Sequence, residues 1–130
     1  MHDAMKISDA EWRVCRVLWR NSPLTAGEII ERLEGETDWT PRTIKTLLNR
    51  LIKKNVLGFE IQGRGYLYFP LLDEEECLHV HTQSFVERFF DGATTTMLAS
   101  FIKHQELSDG DIAELKAILE KKPESGNSGQ

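Results

Sequence analysis

Three short motifs in this 130-residue chain each mark the start of a helix. In each motif a Ser or Thr is followed three residues later by an acid, and the pairs are Ser8/Glu11, Thr25/Glu28 and Ser108/Asp111. This spacing is the capping box, in which the hydroxyl and the carboxylate each accept a hydrogen bond from the backbone amide of the other residue. The first two helices are expected to end near residues 21 and 35. The chain is therefore predicted to be mainly α-helical.

A further helix is predicted over residues 41–54, with Thr40 as its cap and Pro41 at the first helical position. Its apolar residues follow the i, i+3, i+4, i+7 spacing of one buried stripe, and they are Ile44, Leu47, Leu48 and Leu51. Basic and amide side chains occupy the opposite face. Two apolar runs, 56–61 and 66–71, then surround a glycine-rich turn that contains Arg64. This arrangement predicts a small β-hairpin directly after a basic helix.

Beyond residue 72, the sequence predicts three more helices with more apolar surface than about 50 residues can bury among themselves. The acidic run at residues 73–76 favours the start of the first, and Gly92 separates it from the second. A second copy of the chain is expected to cover the apolar residues. The predicted dimerisation residues are Phe85, Val86, Phe89, Phe90, Met97, Leu98, Phe101, Ile102, Ile112, Leu115 and Leu119. The tail, residues 123–130, is expected to be disordered.

Charge is distributed unevenly along the chain, which has a net charge of −5. Residues 1–72 contain 11 basic and 9 acidic residues, a net charge of +2, whereas residues 73–130 contain 5 and 12, a net charge of −7. Six basic residues and one acid lie between residues 40 and 65. A basic segment joined to an acidic one indicates a nucleic-acid partner. We therefore predict a DNA-binding domain over residues 1–72 and a helical dimerisation domain over residues 73–122.

Length and composition argue against several other classes of protein. The chain is short for a multidomain enzyme, its first residues lack the apolar stretch of a signal peptide, and it contains no apolar run near the roughly 20 residues that cross a bilayer. We therefore expect a cytoplasmic protein. Two cysteines make no disulfide framework, and Cys15, on an apolar stripe, is expected to be buried. The glycines around Arg64 belong to a hairpin turn and not to a phosphate-binding loop. No catalysis, cofactor or small-molecule substrate is expected.

The order of the predicted elements is that of a winged helix-turn-helix, in which the third helix enters the major groove and the hairpin, or wing, reaches the adjacent backbone or minor groove. Arg42 and Thr43 lie in the first turn of the third helix and are expected to meet base edges. Other basic residues are expected to bind phosphates, which determine position and salt dependence. The predicted DNA contacts are Thr40, Arg42, Thr43, Lys45, Thr46, Asn49, Arg50, Lys53, Lys54 and Arg64.

Three stretches that occur in order, ISDAEWRVCRVLW, DWTPRTIKTLLNRLIKK and YFPLLDEEEC, resemble the penicillinase repressor (BlaI/MecI/CopY) family. The resemblance extends from about Ile7 to Lys122. It implies a homodimeric winged-helix repressor that binds palindromic operators upstream of β-lactamase or related antibiotic-resistance genes. It also implies induction by proteolysis, triggered by an antibiotic-sensing membrane metalloprotease. In the family the cut precedes a Phe that aligns with Phe101, so the bond after Ser100 is the implied cleavage site; Asn is the commonest family residue before that Phe.

Two alternatives to this interpretation are a metal-responsive repressor of the same fold and a winged helix that docks proteins without binding DNA. Cys77, His79 and His81 are residue types that bind copper or zinc. On a helix, however, Cys77 and His81 would share a face while His79 would point away. The copper-responsive branch of the family carries paired Cys-x-Cys motifs near its C-terminus, and this chain has none there. We therefore expect no metal site.

Overall fold

Helices α1 (Asp9–Arg20), α2 (Ala26–Glu34) and α3 (Pro41–Lys53) begin at the residues expected to cap them. The computed structural model describes residues 6–123. In it, the hydroxyls of Ser8, Thr25 and Thr40 each accept a hydrogen bond from the backbone amide three residues later. Ser8 and Thr25 complete their capping boxes with Glu11 and Glu28. The predicted starts of these three helices are confirmed.

A three-stranded antiparallel sheet accompanies these helices, in the order β1 (Leu24–Thr25), β3 (Gly65–Pro70), β2 (Leu57–Gln62). Strands β2 and β3 form the predicted hairpin, with Leu57 opposite Pro70 and Gln62 opposite Gly65. Gly63, in the turn, has a φ of +61°, a conformation that glycine adopts without strain. Strand β1 was not predicted; it pairs Leu24 with Tyr68.

One hydrophobic core joins α1, α2, α3 and the sheet. The predicted stripe of α3 is confirmed, because Ile44, Leu48 and Leu51 are fully buried and Leu47 is only 5% exposed. Helices α1 and α2, the residue before β2 and the first residue of β2 contribute other buried side chains of this core, which are Val14, Cys15, Leu18, Ile29, Leu33, Val56 and Leu57. The core therefore determines which side of α3 faces inward.

The second half of the chain contains α4 (Glu74–Phe90), α5 (Thr94–His104) and α6 (Asp109–Lys121), as predicted. Asp73 caps α4, because its carboxylate accepts a hydrogen bond from the amide of Glu76 at 2.8 Å while its own amide donates to the Glu76 carboxylate at 3.1 Å. Asp91 and Gly92 end α4 with φ angles of +50° and +82°.

The chain forms two compact units, residues 1–85 and 86–130, and the boundary between them falls within α4. The expected disordered tail lies outside the described residues, except for Pro123. Among residues 6–123, no helix has both the length and the apolar character needed to span a membrane.

Leu48→Ala should lower the free energy of unfolding by about 2–5 kcal/mol, because the shortened side chain leaves a cavity in the core. Asn49→Ala is the matched control: Asn49 is exposed on the same helix, so its replacement should change that free energy by less than about 0.5 kcal/mol. Urea denaturation followed by circular dichroism measures both values. Similar losses in the two variants would contradict the placement of Leu48 in the core.

Candidate nucleic-acid interface

Helix α3 exposes a polar face opposite its buried stripe. Seven of the predicted DNA contacts on this helix are exposed, namely Arg42, Thr43, Lys45, Thr46, Asn49, Arg50 and Lys53. Four of these side chains are basic, and α3 contains no acidic residue. No ion pair within residues 6–123 involves any of the four cations. The surface is therefore positively charged and is also able to form hydrogen bonds.

The first turn of α3 is held by threonine hydroxyls. The Thr40 side-chain oxygen accepts a hydrogen bond from the Thr43 amide at 3.1 Å, and the two hydroxyls are themselves 3.1 Å apart. One turn later, the Thr46 hydroxyl donates to the Arg42 carbonyl at 3.0 Å. These bonds order the backbone from which the exposed Arg42 side chain projects.

The β2–β3 hairpin carries Arg64 at its exposed tip, next to Gly63. Aromatic contacts stiffen the hairpin: the rings of Phe59 and Tyr66 are 4.5 Å apart, and those of Tyr66 and Tyr68 are 6.1 Å apart. The Phe59–Tyr66 contact joins β2 to β3, and a cross-strand pair of this kind stabilises a sheet, whereas Tyr66 and Tyr68 are neighbours on one face of β3. The hairpin is thus an ordered arm that ends in a positive charge.

Lys54 differs from the other predicted contacts. Its Nζ donates to Glu11 Oε1 at 2.7 Å and to the Lys6 carbonyl oxygen at 2.8 Å. Burial acts to raise the pKa of the Glu11 carboxyl, but the hydrogen bonds from Lys54 and Ser8, together with the charge of Lys54, outweigh burial and lower that pKa. The structure therefore places the Lys54 ammonium against α1. The partnership with Glu11 was not predicted.

The sequence of this chain matches the penicillinase repressor family over residues 7–121. The chain belongs to this family. The resemblance inferred from the three sequence motifs is thereby confirmed.

Several members of the penicillinase repressor family are similar to this chain along most of its length. The penicillinase repressor of Bacillus licheniformis is 40% identical over 116 residues, which cover 89% of this chain and 91% of that protein. The methicillin resistance regulatory protein MecI of Staphylococcus aureus (strain N315) is 32% identical over 117 residues, which cover 90% and 95% of the two chains.

The solution structure of the DNA-binding domain of the repressor BlaI superimposes on this chain with a TM-score of 0.52 and 41% identity. The match covers 56% of this chain and 89% of that domain. The predicted fold, a winged helix followed by further helices, is confirmed.

In residues 86–123 of this family member, most of the residues predicted to form a dimer interface lie at the surface. Helices α5 and α6 line an apolar groove of about 400 Å³, formed largely by Leu98, Phe101, Ile102, Leu115 and Ile118. Ile112 and Leu119 are exposed, Phe90 and Met97 are half-buried, and Val86 is buried. Phe89 is exposed, as is Phe85 at the end of the first unit. Ser100 is half-buried on α5 beside the exposed Phe101.

The cysteine and histidine residues of α4 have separate environments. Cys77 belongs to the core, whereas His79 is exposed. The half-buried His81 packs edge-on against Trp12, with ring centroids 5.0 Å apart. In the part of the chain that the structure describes, no three His, Cys, Asp or Glu side chains come together as a metal site. The predicted burial of Cys15 is confirmed, and burial raises the pKa of its thiol to about 12.

The lowered pKa of Glu11 predicts a loss of stability in acid. A carboxyl whose pKa falls on folding stabilises the protein above its usual pKa of 4.5, and this contribution is lost as the pH drops through the folded-state value. The difference in free energy of unfolding between the parent and Glu11→Gln should therefore shrink below about pH 4.5. Urea titrations across this pH range measure it, with Asp9→Asn as the exposed control on the same turn. Parallel pH curves for the parent and Glu11→Gln would contradict this assignment.

Proposed function

We propose that this chain is a transcriptional repressor that binds the operators of β-lactam-resistance genes through α3 and the β2–β3 hairpin. The observation that carries the proposal is the division of α3 into a buried apolar stripe and an exposed face with four cations and no acid. The names of its relatives, penicillinase repressor and methicillin resistance regulatory protein, support the choice of genes. A repressor of this kind is not an enzyme, and it works on DNA in the cytoplasm.

Each exposed side chain has a proposed role. Arg42, with Thr43, reads base edges from the first turn of α3, where a recognition helix of this fold meets the major groove. The remaining basic and amide residues bind the phosphate backbone of the DNA, and they are Lys45, Asn49, Arg50, Lys53 and Arg64. Thr40 and Thr46 order the first turn and lie at the same surface. The Lys54 ammonium, which already has two partners, is left out of this set.

Arg42→Ala should weaken operator binding and reduce the preference for the operator over a scrambled duplex, since a bidentate Arg contributes about 1–3 kcal/mol of discrimination. Lys53→Ala should weaken binding to both duplexes alike and reduce the slope of log K against log salt concentration by about 0.9. Fluorescence anisotropy at several salt concentrations, with an operator selected from random duplexes, measures both effects. Parent-like binding by both variants would show that α3 is not the interface. A protein-docking module would bind no duplex even at low salt.

A homodimer is part of the proposal, with the interface formed by α5, α6 and the end of α4. The support is the apolar surface that residues 86–123 expose, including Phe101 at 60% and Leu119 at 67%. Phe101 also lines the apolar groove between α5 and α6, and exposed apolar patches are typical of protein interfaces. Joining two DNA-binding units in one dimer raises the affinity for a palindrome through effective concentration.

Cleavage of the bond between Ser100 and Phe101, triggered by a membrane-bound sensor metalloprotease, would relieve repression. A protease needs an extended substrate, so α5 must open locally before it is cut. Two features favour opening: Ala93, at the N-cap, makes no side-chain hydrogen bond to the helix, and no α5 residue is buried in the single chain. The cut would separate Phe101, Ile102 and α6 from the DNA-binding unit.

Leu115→Glu should convert the dimer to a monomer and weaken binding to a full palindrome, because it places a charge in the apolar groove. Lys116→Gln is the control, since it makes the same change in net charge at an exposed neighbour. Sedimentation gives the oligomeric state, and anisotropy gives the affinities for whole and half operators. Half-operator affinity should not change in either variant. A fragment of residues 1–100 that keeps full palindrome affinity would contradict the cleavage mechanism.

A further inference from the structure

Glu11 and Lys54 form an ion pair that links the first and third helices. Glu11 is 2% exposed, and the Lys54 side chain is 23% exposed. Theirs is the only ion pair among the residues that the structure describes. A carboxylate buried to this extent requires a cation or several hydrogen bonds, because a buried charge without partners is strongly unfavourable.

A single carboxylate oxygen joins two parts of the fold. Glu11 Oε1 accepts a hydrogen bond from the Ser8 amide at 2.8 Å, which closes the capping box of α1. The same atom accepts from Lys54 Nζ, which also donates to the Lys6 carbonyl oxygen. The Lys54 side chain therefore connects the end of α3 to the beginning of α1.

Lys54 stands where α3 ends and the approach to the hairpin begins. It is the C-cap of α3, and its backbone amide donates to the Arg50 carbonyl. Asn55 then adopts a φ of +63°, and the Val56 amide donates a hydrogen bond to the Leu51 carbonyl oxygen at 3.0 Å. The chain reverses within these residues and continues directly into β2. Fixing Lys54 therefore fixes both the end of the basic helix and the start of the strand that leads to Arg64.

We propose that Lys54 is a positioning residue for DNA binding and that its ammonium does not contact phosphate. Together with Glu11, it holds α3 and the hairpin in the mutual orientation that lets both reach one duplex. This inference rests on the proposed function, because it concerns how the chain binds DNA. A phosphate contact by Lys54 would require this ammonium to give up the carboxylate and the carbonyl that already hold it.

The test compares the salt dependence of operator binding among Lys54→Met, Glu11→Gln and the exposed neighbour variant Lys53→Met. Lys53→Met should reduce the slope of log K against log salt concentration by about 0.9. Lys54→Met should lower the affinity by about tenfold at every salt concentration and leave the slope unchanged. Anisotropy is recorded at a temperature where circular dichroism shows each variant to be fully folded, so loss of stability alone does not lower the affinity.

Glu11→Gln tests the inference by whether it strengthens or weakens binding to DNA. It removes a negative charge, so simple electrostatics predicts tighter binding to DNA. The positioning role predicts weaker binding, and Glu11→Gln/Lys54→Met should bind no more weakly than Lys54→Met, because both changes break one interaction. Gln retains an oxygen that can accept the hydrogen bond from the Ser8 amide. Glu11→Gln therefore still tests the positioning role if Lys54→Met fails to fold. Lys54→Arg, which keeps a cation beside Glu11, should retain most of the parent's affinity for the operator.

Three results would overturn the inference. A reduced slope in Lys54→Met, equal to that in Lys53→Met, would show a direct phosphate contact. Parent-like affinity in both Lys54→Met and Glu11→Gln would show that the pair does not position the interface. No binding by the parent chain would refute the proposed function itself, and the inference with it.

Discussion

The burial of the α3 stripe against α1 and α2 is the interaction on which the rest of the first unit depends. Each of its four aliphatic side chains contributes roughly 1.5–3 kcal/mol to the stability of the fold by leaving water. Because all four lie on one face, rotating the helix by one residue would expose several of them at once and lose several such contributions. Burial of the apolar stripe of α3 therefore determines the direction in which its basic face points. The exposed basic residues need no contacts of their own to be aimed, because the core beneath them holds the helix in place.

The elements that could be predicted from sequence are those whose cause is local. Hydroxyl and acid pairs located helix starts at Ser8, Thr25 and Ser108, and the period of the leucines located the buried side of α3. Strand β1 has no such local cause. It contains two residues, too few to show a period, and it exists because Leu24 and Thr25 pair with Tyr68 and Leu67, more than 40 residues away. Long-range pairing of this kind leaves no mark on the short segment itself.

The Glu11–Lys54 pair was hidden for a different reason, since each residue already had a satisfactory local explanation. Glu11 completes a capping box, and Lys54 extends a basic segment. The spacing of the two residues along their helices nevertheless indicated that both lie on the buried side. Lys54 lies three residues after Leu51 and seven after Leu47, and Glu11 lies three before Val14 and four before Cys15, so both charges fall on buried stripes. A charge in such a position requires a partner, although only the three-dimensional structure shows which one.

The two units also differ in how their helices are stabilised. In residues 86–123 the single chain buries one hydrophobic residue, Val86, and α5 and α6 bury none. Helices of 11 and 13 residues are marginal in water by themselves, and a capping box such as that of Ser108 contributes only about 1 kcal/mol. If the proposed dimer covers these faces, association and helix formation are one cooperative event. Cleavage within α5 would then do more than divide the interface, because the helices left on both sides would lose the cover that keeps them folded.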